Sequence, residues 1–91
     1  MKVKFTRADF NELAQIHSHI ARDNPEAALG VFVRIKEVIQ RLGEFPYLAR
    51  IADESDIRVF PVMPFPYLIF YTVGRGEVII RNVRYAGRNR P

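Results

Sequence analysis

The stretch that most limits what this chain can become is Tyr67 to Tyr85, YLIFYTVGRGEVIIRNVRY. Tyr67 to Val73 is apolar at successive positions, which reads as a strand covered on both faces and so central in a sheet. Gly74-Arg75-Gly76 supplies a tight turn, and Glu77 to Tyr85 reads as the return strand of a hairpin. A long apolar hairpin cannot stand alone in water; it needs neighbouring strands and a helical layer over one face.

The upstream sequence offers both. Met1 to Phe5 alternates, with Val3 and Phe5 on one side and Lys2 and Lys4 on the other, as in a short strand at or near an edge. Thr6 is a candidate N-cap, and Phe10, Leu13, Ile16 or His17, and Ile20 recur at helical spacing, predicting a helix from Arg7 to Arg22. Asn24-Pro25 caps and opens a second helix. Its stripe is Ala28, Phe32, Ile35, Ile39 and Leu42, widened by Leu29, Val31 and Val38, and Gly43 is expected to end it. The short link predicts an antiparallel helical hairpin. Glu44 to Asp56 reads as loop, and strand character returns at Ile57 to Phe60 before Pro61, Pro64 and Pro66 interrupt it. The expected order is β-α-α-β-β-β: an α+β fold, one domain over residues 1–91, with a small antiparallel sheet and the N-terminal helical hairpin packed on one face.

Charge then narrows the function. Met1 to Gly74 carries nine Lys and Arg and nine acids, whereas Arg75 to Pro91 carries five Arg against Glu77 alone. The whole excess of +4 therefore sits in the last fifth of the chain, which favours an anionic partner over an evenly solvated surface. Cysteine is absent, so disulfides and thiolate metal sites are excluded, and a reducing cytoplasm fits. No apolar run of about 18 residues and no apolar leader is visible, so neither a membrane helix nor a secretory signal is expected.

Strict alternation on the last strand places Ile79, Arg81, Val83 and Tyr85 on one face and Val78, Ile80, Asn82 and Arg84 on the other. The aliphatic pair at Val78 and Ile80 marks the second set as core-facing. Arg81 and Tyr85 are then expected on the open face, joined by Arg58, where cations beside a ring can grip phosphate and stack a base. The structural alternatives are an Arg81 salt bridge to Glu54 or Asp56 and a packed Tyr85. Arg88 and Arg90 lie in a Gly-Pro-containing tail suited to contact something outside the chain.

No HExxH, Walker A, GxSxG or metal-ligand spacing occurs, and no cofactor or metal is expected. His17 reads as a partly buried structural residue beside the helical stripe, and His19 as solvated. A tyrosine titrating near its ordinary pKa of about 10 is a poor general base at neutral pH unless cations lower it.

The segment DNPEAA at Asp23 to Ala28, LGEFPYLAR at Leu42 to Arg50, and the pair FPYLIFYTV and VIIRNVRYAGRN resemble the ParE branch of the RelE/ParE toxin superfamily. The resemblance runs over nearly the whole chain. It implies the toxin of a bacterial type II toxin–antitoxin pair, cytoplasmic and neutralised by a cognate antitoxin with an acidic, partly disordered segment, in a higher-order complex. ParE-like members are taken to poison DNA gyrase by binding; RelE-like members cleave mRNA on the ribosome. For the first, Arg81, Arg84, Tyr85, Arg88 and Arg90 would meet target or antitoxin. For the second, Arg58, Arg81 and Arg88 would hold phosphate while Tyr85 assists proton transfer. Many relatives end the last strand in a histidine-glycine-x-arginine pattern; here Arg88 matches the arginine and the histidine is missing. A plain basic nucleic-acid-binding module is the third reading of the charge.

Overall fold

The computed structural model describes residues 1–52 and 55–86; at positions 8–10, 12, 13, 17 and 23 it describes the backbone alone. The elements are β1 (Lys2–Phe5), α1 (Arg7–Asp23), α2 (Pro25–Glu44), β2 (Arg50–Ile51), β3 (Arg58–Pro61), β4 (Tyr67–Gly74) and β5 (Glu77–Tyr85). They form one five-stranded sheet in the order β1-β5-β4-β3-β2.

Two details differ from the sequence expectation within the α+β class. First, β1 lies beside β5 and runs parallel to it, Lys2 opposite Glu77 and Phe5 opposite Ile80, so the sheet is mixed. A parallel pair needs a long crossover, and here everything between the two strands supplies it. Second, β2 is a two-residue strand pairing Arg50 with Val59 and Ile51 with Arg58. An element that short has no periodicity to read.

The second helix starts for the expected reasons. The Asn24 side chain accepts from the Ala27 N–H at 3.1 Å, and Pro25 follows at a position where a missing N–H costs nothing. The buried stripe of α2 is Ala28, Val31, Ile35, Val38, Ile39 and Leu42. Phe32 is only partly buried against that core, and Leu29 is 64% exposed, so Leu29 does not widen the core face as expected. The stripe advances by three, four, three and four residues from Ala28 to Leu42, which points Leu29 away. Side chains of the expected α1 stripe at Phe10, Leu13 and His17 lie outside the described residues; Ile16 and Ile20 pack against the core.

Beneath α2 lie Ile69 and Tyr71 of β4 and Val78, Ile80 and Val83 of β5, all nearly or wholly buried. Each such aliphatic contributes roughly 1.5–3 kcal/mol by leaving water, so the core rests on α2 and the β4–β5 hairpin. The hairpin turns through Arg75-Gly76, where Gly76 has φ +72°, a backbone region that glycine enters without a Cβ clash. Gly43 has another role than ending α2. The helix continues to Glu44, and a Cβ at Gly43 would sit 3.0 Å from Val3 Cγ2 and 3.3 Å from the Met1 carbonyl oxygen. Glycine there lets β1 press against α2.

Candidate functional site

The functional geometry turns on one inserted residue. Along β4 and β5, Val73 opposes Val78 and Tyr71 opposes Ile80, but Phe70 opposes Asn82. Arg81 is the extra residue of a β-bulge, and a bulge shifts the side-chain alternation by one. Val78 and Ile80 face the helices; beyond the bulge so do Val83 and Tyr85, opposite the buried Ile69 and Tyr67. Asn82 and Arg84 lie opposite Phe70 and Leu68, on the face turned from the helices.

This overturns the expected grouping of Arg81 with Tyr85. Arg81 does stand on the face away from the helices, where its Nε donates to Thr72 Oγ1 at 3.2 Å. Its neighbour there is Arg84, whose guanidinium carbon lies 5.8 Å from the Phe70 ring centre. Thr6 holds the bulge from behind: its N–H donates to Ile80 O at 3.2 Å and its hydroxyl to Arg81 O at 3.1 Å. With Nε tied to Thr72, the outer nitrogens of Arg81 present a fork to whatever approaches.

Tyr85 is on the helix side, edge-on to Tyr67 with ring centres 5.5 Å apart. Burial, and then the neighbouring Tyr85, push the Tyr67 hydroxyl above its ordinary pKa, so Tyr67 stays protonated through the neutral range. Tyr85 keeps 57% of its surface exposed, so it is neither a buried core tyrosine nor a member of the arginine face.

Arg58 joins neither group. It lies opposite Tyr71, on the helix side of the sheet. Its Nη1 donates to Ala49 O at 2.6 Å, and its guanidinium carbon sits 5.0 Å from the Tyr47 ring centre. Tyr71 ties the same loop, its hydroxyl donating to Pro46 O at 2.9 Å. Burial raises the Tyr71 pKa, opposed by the Ala49 backbone hydrogen bond and by Arg58. Arg58 is therefore a brace for the loop after α2, and the expectation that it shares the open face is corrected.

Among the described residues the ion pairs are Lys4 with Glu77 at 3.1 Å and Arg34 with Glu37 at 3.4 Å. Neither Arg81 nor Arg84 has a carboxylate partner among them, so the alternative of an Arg81 bridge to Asp56 is not formed; Glu54 lies outside the described residues. Arg88 and Arg90 also lie outside them. No group of His, Asp or Glu able to hold a metal occurs among the described residues. His19 is exposed, as expected, but it and Arg22 line a groove against Tyr67 and Tyr85 that no local pattern marks.

Residues 3–90 match the family model described as the ParE toxin of the type II toxin–antitoxin system parDE. The chain belongs to that family. It is thus a toxin of the type II toxin–antitoxin class, for which an antitoxin is the partner. Two curated relatives agree across almost their full length. Toxin RelE2 of Caulobacter vibrioides is 33% identical over 96% of this chain and 97% of its own. Y4kP of Sinorhizobium fredii, named as a candidate toxin, is 29% identical over 99% of this chain and 93% of its own. Among solved structures, a chain of the chromosomal ParDE system of P. aeruginosa superposes with a TM-score of 0.83, covering 96% of this chain and 97% of that one. At 23% identity that likeness speaks to the ParE fold alone. No helix among the described residues of this ParE-family chain is long and apolar enough to cross a membrane.

Proposed function

We propose that this ParE-family toxin acts in the cytoplasm by binding DNA gyrase and trapping its cleaved DNA, without itself catalysing a reaction. The face bearing Arg81 and Arg84 makes the contact, and the cognate antitoxin neutralises the toxin by laying an acidic segment on the same face. The bulge at Arg81 carries this reading, because it separates the groups that phosphodiester cleavage would need together. Arg81 is on one face of the sheet, Tyr85 on the other, and Arg58 is engaged with Ala49 O. General acid–base chemistry requires its donors within hydrogen-bond reach of one reacting centre. Two arginines without carboxylate partners among the described residues, on a rigid strand, are instead suited to grip an anionic surface.

The second reading is cleavage of mRNA on the ribosome, favoured by the relative named toxin RelE2. Two assays run side by side decide between them. Purified toxin added to gyrase and supercoiled plasmid should accumulate cleaved DNA, while mRNA on translating ribosomes stays intact by toeprinting. New mRNA ends that vanish with Arg81→Ala or Tyr85→Phe would overturn the gyrase reading. For the antitoxin, reversing charge at Arg81, Arg84 and Arg88 together should weaken binding at low salt; unchanged affinity would remove that face from the interface.

A further inference from the structure

The outward side of α2 is apolar where a solvated helix would be polar. Leu29 and Val33, in its first half, keep 64% and 49% of their surface exposed. Glu26 precedes them and Lys36 follows them, both exposed and neither in an ion pair among the described residues. The steps from Glu26 through Leu29 and Val33 to Lys36 are three, four and three residues. At about 100° per residue the four positions fall within an arc of about 80° and form one seam along the helix. That seam is its own complement. Residue 31 is the midpoint of Leu29 and Val33, and also of Glu26 and Lys36. A two-fold axis over that point sets Leu29 against Val33 of a second copy and Glu26 against Lys36 of the second copy, and symmetry makes each contact twice.

We propose that a second copy of this chain docks on this seam, antiparallel and two-fold related, to form a reversible dimer. Charge selects this occupant. An acidic segment laid along the seam would meet Glu26, and a basic one would meet Lys36; a second copy answers both. The helix is balanced, with Glu26, Glu37 and Glu44 against Arg34, Lys36 and Arg41. The positive excess stays clear of the contact, because Arg81 and Arg84 stand on the sheet face turned from the helices. Docking through α2 therefore leaves two arginine faces outward, and the dimer offers an anionic partner two grips. The free edge of β1 does not serve instead: antiparallel pairing about Val3 would set Lys2 against Lys4 of the other copy. A seam about 15 Å long falls short of the roughly 1,200 Å² of a standard interface, which makes the dimer weak and concentration-dependent.

Sedimentation velocity of the purified chain at low salt, from about 10 μM to 1 mM, should show the mass rising from one chain toward two. Leu29→Gln combined with Val33→Gln changes two exposed positions, so the protein should stay folded by circular dichroism and remain a single chain throughout. Glu26→Lys alone should weaken dimerisation roughly 2- to 30-fold, since symmetry removes two exposed ion pairs. Lys36→Glu alone should do the same. The double swap Glu26→Lys, Lys36→Glu should restore wild-type dimerisation. Within one chain the two positions stand about 15 Å apart along the helix, so only an antiparallel second copy lets one swap repair the other. One-chain mass at every wild-type concentration would overturn the inference. So would a dimer indifferent to the Leu29 and Val33 changes, or a double swap no stronger than the single ones. Loss of antitoxin binding in the Leu29→Gln, Val33→Gln protein, with no wild-type dimer, would assign the seam to a different chain. Gyrase cleavage by a toxin that never dimerises defeats this inference and leaves the gyrase reading standing; dimerisation without gyrase cleavage does the reverse.

Discussion

Removing the Arg58 side chain should harm the fold and leave the binding face intact. Arg58 reaches from β3 to the loop after α2, where its Nη1 meets Ala49 O at 2.6 Å and its guanidinium lies over Tyr47. A hydrogen bond from a charged donor contributes roughly 1.5–3 kcal/mol. The ring contact, with Tyr47 64% exposed, adds about 0.5 kcal/mol, the low end of the range for exposed pairs. Arg58→Ala should therefore cost about 2–3 kcal/mol, and for a domain of this size each kcal/mol lowers Tm by roughly 4–8 °C. Arg81→Ala removes an exposed side chain with one bond to a threonine hydroxyl, so stability should stay within about 0.5 kcal/mol. Urea unfolding followed by far-UV circular dichroism reads both as shifts in midpoint at constant slope. At a temperature where Arg58→Ala is fully folded it should remain toxic, whereas Arg81→Glu should not. An Arg58→Ala protein with the wild-type midpoint and no toxicity would refute the assignment of Arg58 as a brace.

Other perturbations have signs set by the same coordinates. Gly30→Ala places a Cβ at ordinary contact distance, 3.9 Å, from Phe65 and gains helix propensity, so it should stabilise by up to about 1 kcal/mol. Gly43→Ala drives a Cβ against Val3 and the Met1 carbonyl and should destabilise by about 1 kcal/mol or more despite that propensity. Equal shifts in the two thermal midpoints would contradict the close approach of β1 to α2. Tyr67 and Tyr71 both titrate above their ordinary value in the fold. Their contribution is complete below about pH 10, where the unfolded chain is also protonated, and is lost as pH rises from there through their folded values. The urea midpoint should fall on that alkaline side, and less steeply in Tyr67→Phe; an equal fall in the variant would contradict the raised Tyr67 value.

The sequence made the central hairpin, the capped second helix and the family motifs legible because each rests on local rules: alternation, helical spacing, turn and cap chemistry. It did not make the candidate site legible, for a reason visible at Arg81. Period-two reading assumes an unbroken ladder, and one inserted residue exchanged the faces of every side chain after it. Tyr85 thereby left the arginine face and Arg84 joined it. Nothing in the local composition marks the bulge, because the bonds that hold it come from Thr6, at the start of α1, and Thr72 on β4. Arg58 misled for a related reason: its partner, Ala49 O, lies on a loop whose docking no local pattern encodes. His19 read only as solvated and Arg22 only as the end of the first helix, because only the packed hairpin brings Tyr67 and Tyr85 opposite them.

Binding through the arginine face is tested most directly by a gyrase cleavage assay comparing wild-type toxin with an Arg81→Glu, Arg84→Glu protein shown to be folded. Cleaved plasmid should build up with the wild type and stay at background with the double variant, at low salt and matched concentrations. Equal cleavage by both proteins, or none by either at excess toxin, would contradict the proposal that this face engages gyrase.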